Sequence, residues 1–258
     1  MIEEPKVKFL SLLHKLATFV IGLFRVTLHN PLDLFHVLGI ARFAVLQIAT
    51  PELDVRTFTS IDILDLAPGS IRWKLQAFPG IPASISVLEC NGLALLAKKT
   101  KARKVFEFGT YMGVSATHLA LNLEPGGLVY SLDLPEDNPT ALLTIHDLDE
   151  KGLTVEKGKG SLVPDDVKNQ VVFLKSDSAV FDETPYCNSM DLVFVDGAHS
   201  SEYVRSDTEK ALRMLRQGGI VAWHDCHHNY PDVVRYLKTL SQEVFLVSGT
   251  TLAFAQKA

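Results

Sequence analysis

Acidic residues and histidines follow two apolar runs in the last third of the sequence. The run DLVFV is followed by Asp196, Gly197 and His199, and the run GIVAW is followed by His224 and Asp225. Carboxylates and imidazoles that gather at one place can hold a divalent cation, since hard oxygens suit magnesium and histidine favours softer ions. In the alternative interpretation, the aspartates cap helices and the histidines are solvated.

A glycine-containing segment follows an earlier apolar run and precedes a predicted helix. It carries Glu107, Gly109, Tyr111, Gly113 and Ser115. Glycines here let the backbone approach a ligand closely, and amides at a helix N-terminus attract negative charge. The glycine spacing differs from the GxGxxG of dinucleotide sites, which counts against a dehydrogenase. The alternative is a tight turn between a strand and a helix.

Two further acids end the next apolar runs. Asp133 ends LVYSLD, where a carboxylate can accept hydrogen bonds from both ribose hydroxyls of a nucleoside. Asp177 and Ser178 end the following run, where an aspartate also suits a helix N-cap. The order of these acids after the glycine segment favours a nucleoside-binding site.

Short apolar runs alternate with helical patterns from about residue 84 onward, which predicts a buried parallel sheet. We expect a Rossmann-like α/β fold with a seven-stranded, mostly parallel sheet and a C-terminal antiparallel hairpin connected by Gly249 and Thr250. Ligands bind at the carboxyl ends of the strands in such sheets, where all the residues named above are expected. The predicted strands are 104–109, 128–133, 171–177, 191–197, 219–225 and the two of the hairpin, and the predicted helices are 84–99, 114–123, 201–216 and 231–241.

The stretch VFEFGTYMGVSA resembles the first motif of class I S-adenosylmethionine (SAM)-dependent methyltransferases, especially the catechol O-methyltransferase group. The DGAHS and WHD segments resemble a bacterial family related to macrolide-sugar O-methyltransferases and to cephalosporin-hydroxylase-like proteins. The resemblance covers about residues 84–258 and implies methyl transfer from SAM to a hydroxyl of a small molecule. It assigns Glu107, Gly109, Tyr111, Gly113 and Ser115 to the methionine part of the cofactor, Asp133 to the ribose, and Asp177 and Ser178 to the neighbourhood of the adenine.

The same resemblance implies a magnesium ion, or another divalent cation, on Asp196 and Asp225. The expected third ligand is His224, which precedes Asp225, or a neighbouring group, since Cys226 stands where a second acid or an asparagine is often found. The resemblance also makes His199 the general base beside Asp196. An imidazole has an unperturbed pKa near ~6.5, so its neutral form is available at physiological pH. His227 is the alternative base.

Two rival functions remain open at this point. A hydroxylase-like protein of the same fold would add an oxygen to its substrate and not a methyl group. A non-catalytic protein would bind SAM without turnover and would act through its N-terminal region.

Residues 1–83 are expected to form an N-terminal helical extension or cap, and residues 84–258 the SAM-dependent methyltransferase domain. Polar positions in residues 9–28 form one stripe of an amphipathic helix, a second helical stretch covers 31–48, and residues 51–83 look like an irregular connector rich in proline and glycine. The apolar face of 9–28 can pack within the fold or in a homodimer, can form a substrate lid, or can contact a membrane surface. Its apolar stretches are too short to span a membrane.

The composition and one missing motif argue against nucleic-acid-binding and disulfide-rich proteins. The net charge is -5 and no long basic run is present, which argues against nucleic-acid binding. The predicted fourth strand also lacks the (D/N)PP(Y/F) motif of enzymes that methylate nucleobase amines. The three cysteines are widely separated and odd in number, which argues against a disulfide framework and indicates the cytoplasm.

Overall fold

The computed structural model of the protein describes residues 53–66, 69–78, 84–135, 141–143 and 158–258. The chain divides into two compact units, Met1–Asp54 and Val55–Ala258. The helices that we predicted at 9–28 and 31–48 lie outside the described residues. The architecture below is that of the second unit.

Helices and strands alternate along this unit. The strands are β1 (Thr59–Ile61), β2 (Lys104–Phe108), β3 (Leu128–Asp133), β4 (Val171–Lys175), β5 (Met190–Val195), β6 (Leu215–Trp223), β7 (Phe245–Val247) and β8 (Ala253–Gln256). The α-helices are α1 (Val87–Thr100), α2 (Val114–Leu121), α3 (Asp165–Lys168), α4 (Ser201–Met214) and α5 (Pro231–Leu237). Short 3-10 helices cover Val55–Thr57, Ile63–Leu66 and Thr184–Tyr186.

The strands form one sheet in the order β1-β7-β8-β6-β5-β2-β3-β4. All neighbouring pairs are parallel except those of β8, which runs antiparallel to β6 and β7. This arrangement confirms the predicted Rossmann-like sheet with its antiparallel C-terminal strand. The chain leaves β2 toward β3 and β4 on one side and returns to β5 on the other, so the strand order reverses between β2 and β5. Such a reversal places a ligand crevice at the carboxyl ends of these strands.

The edge strand β1 was not expected. It pairs in parallel with β7, with Thr59 opposite Phe245 and Ile61 opposite Val247. Its three residues are too few to show the alternation by which a strand is recognised in sequence, and prolines and glycines follow nearby. Part of the predicted irregular connector therefore belongs to the sheet. The domain boundary at residue 83 stays a prediction.

The central strands are buried on both faces by helices, which is why they read as continuous apolar runs. Phe106 and Phe108 of β2 and Phe194 of β5 are almost fully buried. Helix α1 begins with a capping box, in which Ser86 accepts a hydrogen bond from the Glu89 amide and the Glu89 side chain accepts one from the Ser86 amide. This cap fixes the start of α1 beside the carboxyl ends of the strands.

Candidate active site

A cavity of about 360 Å³ opens at the carboxyl ends of β2, β3, β4, β5 and β6. A volume of this size suits a small-molecule ligand. Glu107 and the alternative base His227 are not among the residues that line the cavity. The predicted residues that line it are Gly109, Tyr111, Gly113, Ser115, Asp133, Asp177, Ser178, Asp196, His199, His224 and Asp225.

The loop between β2 and α2 is held in left-handed backbone conformations at Gly109 (φ 94°), Tyr111 (φ 42°) and Gly113 (φ 87°). A Cβ atom on Gly109 would lie 2.0 Å from the carbonyl oxygen of Asp196. A Cβ atom on Gly113 would lie 2.5 Å from Cγ2 of Val163. Both glycines therefore permit close contacts within the protein. This role is separate from the expected one of making room for a ligand.

Asp133 joins β3 to this loop. Its Oδ2 atom accepts hydrogen bonds from the amides of Thr110 (3.0 Å) and Tyr111 (2.9 Å). Its Oδ1 atom accepts one from the Leu134 amide (2.7 Å) and one from the ammonium group of Lys159. The carboxylate predicted to bind ribose thus also fixes the shape of the loop.

Glu107 is fully buried at the end of β2. Its Oε2 accepts a hydrogen bond from the Ser131 hydroxyl, whereas its Oε1 has no hydrogen-bond partner among the described residues. Burial raises the pKa of Glu107 to about 8, and the charges of Asp196 and Asp133 add to the rise, against the hydroxyls of Ser115 and Ser131. A buried carboxyl oxygen without a partner is costly and suits a ligand that donates a hydrogen bond.

Asp177 closes a turn, because its Oδ1 accepts from the Ala179 amide (2.8 Å) two residues on. No helix begins here among the described residues, so the N-cap alternative is wrong. The carboxylate also accepts from the Tyr203 hydroxyl (3.1 Å to each oxygen) and from the Leu142 amide (2.7 Å). It therefore positions Tyr203, which lines the cavity. The predicted place of Asp177 and Ser178 near the adenine stays a prediction.

Asp207 of α4 lines the same part of the cavity and was missed by the sequence analysis. Burial raises its pKa to about 7, against the Ser178 side chain and the Lys210 charge, while the Asp177 charge adds to the rise. Asp207 follows Tyr203 by one helical turn, so both lie on the inner face of α4. The sequence held no signal that would have singled it out, because the buried face of α4 also carries the polar residues Thr208 and Lys210.

His224 lies at the centre of a cluster of carboxylates. Its Nδ1 is 3.1 Å from Oδ1 of Asp196 and 3.0 Å from Oδ2 of Asp225, and its Nε2 is 3.2 Å from Oε2 of Glu89. Burial lowers the pKa of His224, but these three carboxylates outweigh burial and raise it well above the ordinary value. This arrangement favours the protonated imidazole, since a carboxylate faces each of its nitrogens.

Glu89 brings helix α1 into this cluster, which the sequence analysis did not anticipate. Its Oε1 accepts hydrogen bonds from the amide (2.9 Å) and hydroxyl (2.8 Å) of Thr251, and its Oε2 accepts from the amide (2.9 Å) and hydroxyl (2.7 Å) of Ser86. Burial raises the pKa of Glu89, but His224 and these hydrogen bonds lower it well below its usual range. The motif Ser86-x-x-Glu89 was visible in the sequence, but it indicates only a helix start.

Asp196 and Asp225 follow the neighbouring strands β5 and β6. Burial raises the pKa of Asp196 and the Asp225 charge adds to the rise, against His224 and His199. Burial also raises the pKa of Asp225, but hydrogen bonds from His199 and His224 lower it well below its usual range. Asp225 has a left-handed backbone (φ 55°), an uncommon conformation for a residue other than glycine. This strain turns its carboxylate toward both histidines.

His199 is positioned by Asp225 and by an aromatic neighbour. Its Nε2 lies 2.8 Å from Oδ2 of Asp225, and its ring centroid lies 4.1 Å from that of Tyr230. The rings of His227 and His228 lie 3.8 Å apart, and burial lowers the pKa of His227. Of the two histidines considered as the base, His199 is the one in the cavity.

One group of the described residues can hold a metal ion. The ligand atoms of Asp196, His199 and Asp225 all lie within 4.8 Å of one another. Asp196 and Asp225 are the two predicted carboxylate ligands, whereas the histidine in this group is His199 and not the predicted His224.

The helices of the described residues are all too short or too polar to cross a membrane.

Comparisons with known proteins identify the domain that carries this cavity. Residues 106–226, just under half of the chain, match the family model described as a methyltransferase domain. No curated protein matches the sequence significantly.

Solved structures share the fold at low sequence identity. The cofactor-bound structure of Rv0187 from MTB is 20% identical, with a TM-score of 0.50, and the match covers 68% of this chain and 82% of that one. A candidate caffeoyl-CoA O-methyltransferase from Staphylococcus aureus is 16% identical, with a TM-score of 0.50, and the match covers 68% and 85%. The O-methyltransferase TomG from Streptomyces achromogenes, solved with SAM and involved in tomaymycin synthesis, is 19% identical, with a TM-score of 0.49 and coverages of 68% and 82%.

Proposed function

We propose that this chain, a class I methyltransferase by its family match and its fold, transfers the methyl group of SAM to a hydroxyl of a small molecule. One observation carries the proposal: the glycine loop after β2, the acid after β3 and the Asp-His cluster after β5 and β6 line a single cavity. The first two features suit a nucleoside cofactor and the third suits a reacting hydroxyl.

The residues around the cavity fit SAM as the cofactor. Glu107, which directly precedes the lining residues Phe108 and Gly109, has a buried carboxyl oxygen without a hydrogen-bond partner, and we assign it to the methionine part. Asp133 offers the acidic group for the ribose, and we place the adenine beside Tyr203 and Ser178, which also line the cavity. The Rv0187 structure from MTB, which shares the fold, was solved with a cofactor bound. SAM, when bound, supplies the electrophilic methyl group.

His199 is the proposed general base of the transfer. Its Nε2 lies 2.8 Å from Oδ2 of Asp225, and this contact holds the ring at the cavity wall. Holding base and acceptor in place lowers the barrier by positioning as well as by proton transfer. The candidate O-methyltransferase from Staphylococcus aureus supports an oxygen acceptor.

The same cluster fits a divalent cation, magnesium or another. Asp196 and Asp225 would supply carboxylate oxygens and His199 an imidazole nitrogen, since the ligand atoms of these three residues lie within 4.8 Å of one another. His224 fits less well as a ligand, because a carboxylate already lies close to each of its nitrogens. A bound cation would lower the pKa of an acceptor hydroxyl. A single nitrogen of His199 cannot be a metal ligand and the base at the same time. If that nitrogen binds the metal, another group must accept the proton.

The test combines binding with product analysis. Calorimetry with S-adenosylhomocysteine (SAH) should show binding to the wild type and weaker binding, by ~1–3 kcal/mol, to Asp133→Ala. The enzyme, a panel of hydroxyl compounds and methyl-labelled SAM are then incubated with and without EDTA. Transfer of label to an acceptor supports the proposal, whereas binding without any transfer favours the non-catalytic rival. A product that gains an oxygen in place of a methyl group favours the hydroxylase-like rival.

If activity is unchanged in the presence of EDTA and in the Asp225→Asn variant, the metal assignment is wrong and His199 stays the proposed base. We also propose that residues 9–28 build a homodimer, form a lid or contact a membrane surface. Deletion of residues 1–30 tests these three alternatives. Localisation in the cytoplasm and the lack of a nucleic-acid partner likewise remain proposals.

A further inference from the structure

The carboxylate of Asp133 is saturated by groups of the protein itself. Each carboxylate oxygen offers two acceptor positions. The amides of Thr110 and Tyr111 use those of Oδ2, and the Leu134 amide and the Lys159 ammonium use those of Oδ1. Ribose hydroxyls can hydrogen-bond to Asp133 only if one of these donors leaves.

Three of the four donors are fixed by the backbone. The amides of Thr110 and Tyr111 belong to the loop after β2, whose left-handed conformations leave it little freedom. The Leu134 amide directly follows Asp133 in the chain. Lys159 is the exception, because its donor stands at the end of a long flexible side chain.

The backbone that carries Lys159 is anchored independently of this ion pair. The Gly160 amide donates to the Tyr111 carbonyl (2.7 Å), and the Leu162 amide donates to the Met112 carbonyl (3.0 Å). The Lys159 ammonium also donates to the Leu134 carbonyl (3.0 Å), and its side chain is only 10% exposed. The ammonium can therefore leave Asp133 while residues 160–162 stay in place.

We propose that Lys159 is an internal competitor for the ribose-binding carboxylate, and so a determinant of cofactor affinity. The inference rests on the proposed function, because it needs a cofactor with ribose hydroxyls. The ammonium occupies Oδ1 of Asp133 in the free protein and yields it when the cofactor binds. Breaking the ion pair costs part of the binding free energy. The apparent affinity is therefore reduced in proportion to the fraction of molecules in which Lys159 has left Asp133.

The test is the affinity for SAH, which carries no sulfonium charge, measured by calorimetry on the full chain. Lys159→Met keeps the length of the side chain and removes its charge, and it should tighten SAH binding by about tenfold, somewhat more than an exposed ion pair would give. Lys168→Met is the matched control, since this exposed lysine lies in α3 and its loss changes the net charge equally. The control should bind SAH as the wild type does.

A second measurement assigns the gain to the ribose. Adenosine should bind more tightly to Lys159→Met than to the wild type, whereas 2′,3′-dideoxyadenosine should bind both equally, as followed by NMR titration. Unchanged or weaker SAH binding by a folded Lys159→Met protein would overturn the inference, and so would an equal gain for dideoxyadenosine. Absence of SAH binding by the wild type as well as by both variants would instead count against the proposed function.

Discussion

Replacement of Glu89 by glutamine should disturb the site through His224. The Glu89 side chain is 7% exposed, and its two oxygens face five donors: the amide and hydroxyl of Thr251, the amide and hydroxyl of Ser86, and Nε2 of His224. A glutamine has one acceptor oxygen and one amide nitrogen. If the oxygen stays with Thr251, the nitrogen meets donors from Ser86 and His224.

The size of the effect follows from the burial of the pair. Removing one partner of a buried ion pair costs about 3–5 kcal/mol of the free energy of unfolding. We expect a loss of ~3 kcal/mol, at the lower end, because Asp196 and Asp225 continue to face the imidazolium from its other side. The pKa of His224 should also fall, since a neutral Nε2 can accept a hydrogen bond from the new amide nitrogen.

Urea denaturation measures the first effect, and NMR of the His224 ring across a pH series measures the second. Glu209→Gln, an exposed position in α4, is the control. Because the pKa of Glu89 is held below its ordinary value of 4.5, its contribution to stability is complete above that pH and lost in acid. The difference between wild type and variant should therefore shrink at low pH. A variant as stable as the control, with an unchanged titration of His224, would refute a positioning role for Glu89.

Three more substitutions test the site and its support. His199→Gln should lower turnover of an acceptor found in the panel by ~100- to 10,000-fold with unchanged SAH affinity; near-normal turnover would move the proton transfer elsewhere. Gly109→Val should cost the cofactor-free protein about 2 kcal/mol or more in urea denaturation, because its Cβ would lie 2.0 Å from the Asp196 carbonyl oxygen; normal stability with SAH binding lost would show that only the ligand needs this space. His118 accepts a hydrogen bond from the Gln76 amide (3.2 Å), and burial lowers its pKa from 6.5, so its contribution to stability should be complete above pH 6.5 and fall as the pH decreases. His118→Gln should remove that part of the pH dependence, and equal pH profiles for variant and wild type would contradict this assignment.

The strands that position the site could be predicted because each is a buried apolar run ended by a polar residue. The prediction of 128–133 coincides with β3, and those of 104–109 and 191–197 differ from β2 and β5 by one or two residues at their ends. The short strand β1 escaped because Thr59-Ser60-Ile61 is not an apolar run, whereas the equally short β7 lies in the apolar run VFLV. The length of the apolar run therefore decided which strands were visible in the sequence.

The side chains that complete the site were not predictable from motifs. Glu89 and Lys159 act through contacts with residues more than twenty positions away, and neither position follows a strand end. Tyr203 and Asp207 belong to α4, where the helical pattern gave no reason to separate them from ordinary core residues. Sequence spacing reports local geometry, whereas these four contributions depend on which elements the fold brings together.

The link between the two halves of the site lies at the contact between β2 and β5. The Asp196 amide donates a hydrogen bond to the Phe108 carbonyl (2.9 Å), and the next residue, Gly109, lies against the Asp196 carbonyl because it has no side chain. Val195 pairs with Trp223, so the residues that follow, Asp196 and His224, leave their strands at the same level. The loop proposed to hold the cofactor and the carboxylate proposed for the chemistry therefore share one backbone contact. Their separation is fixed by the sheet and not by the ligands.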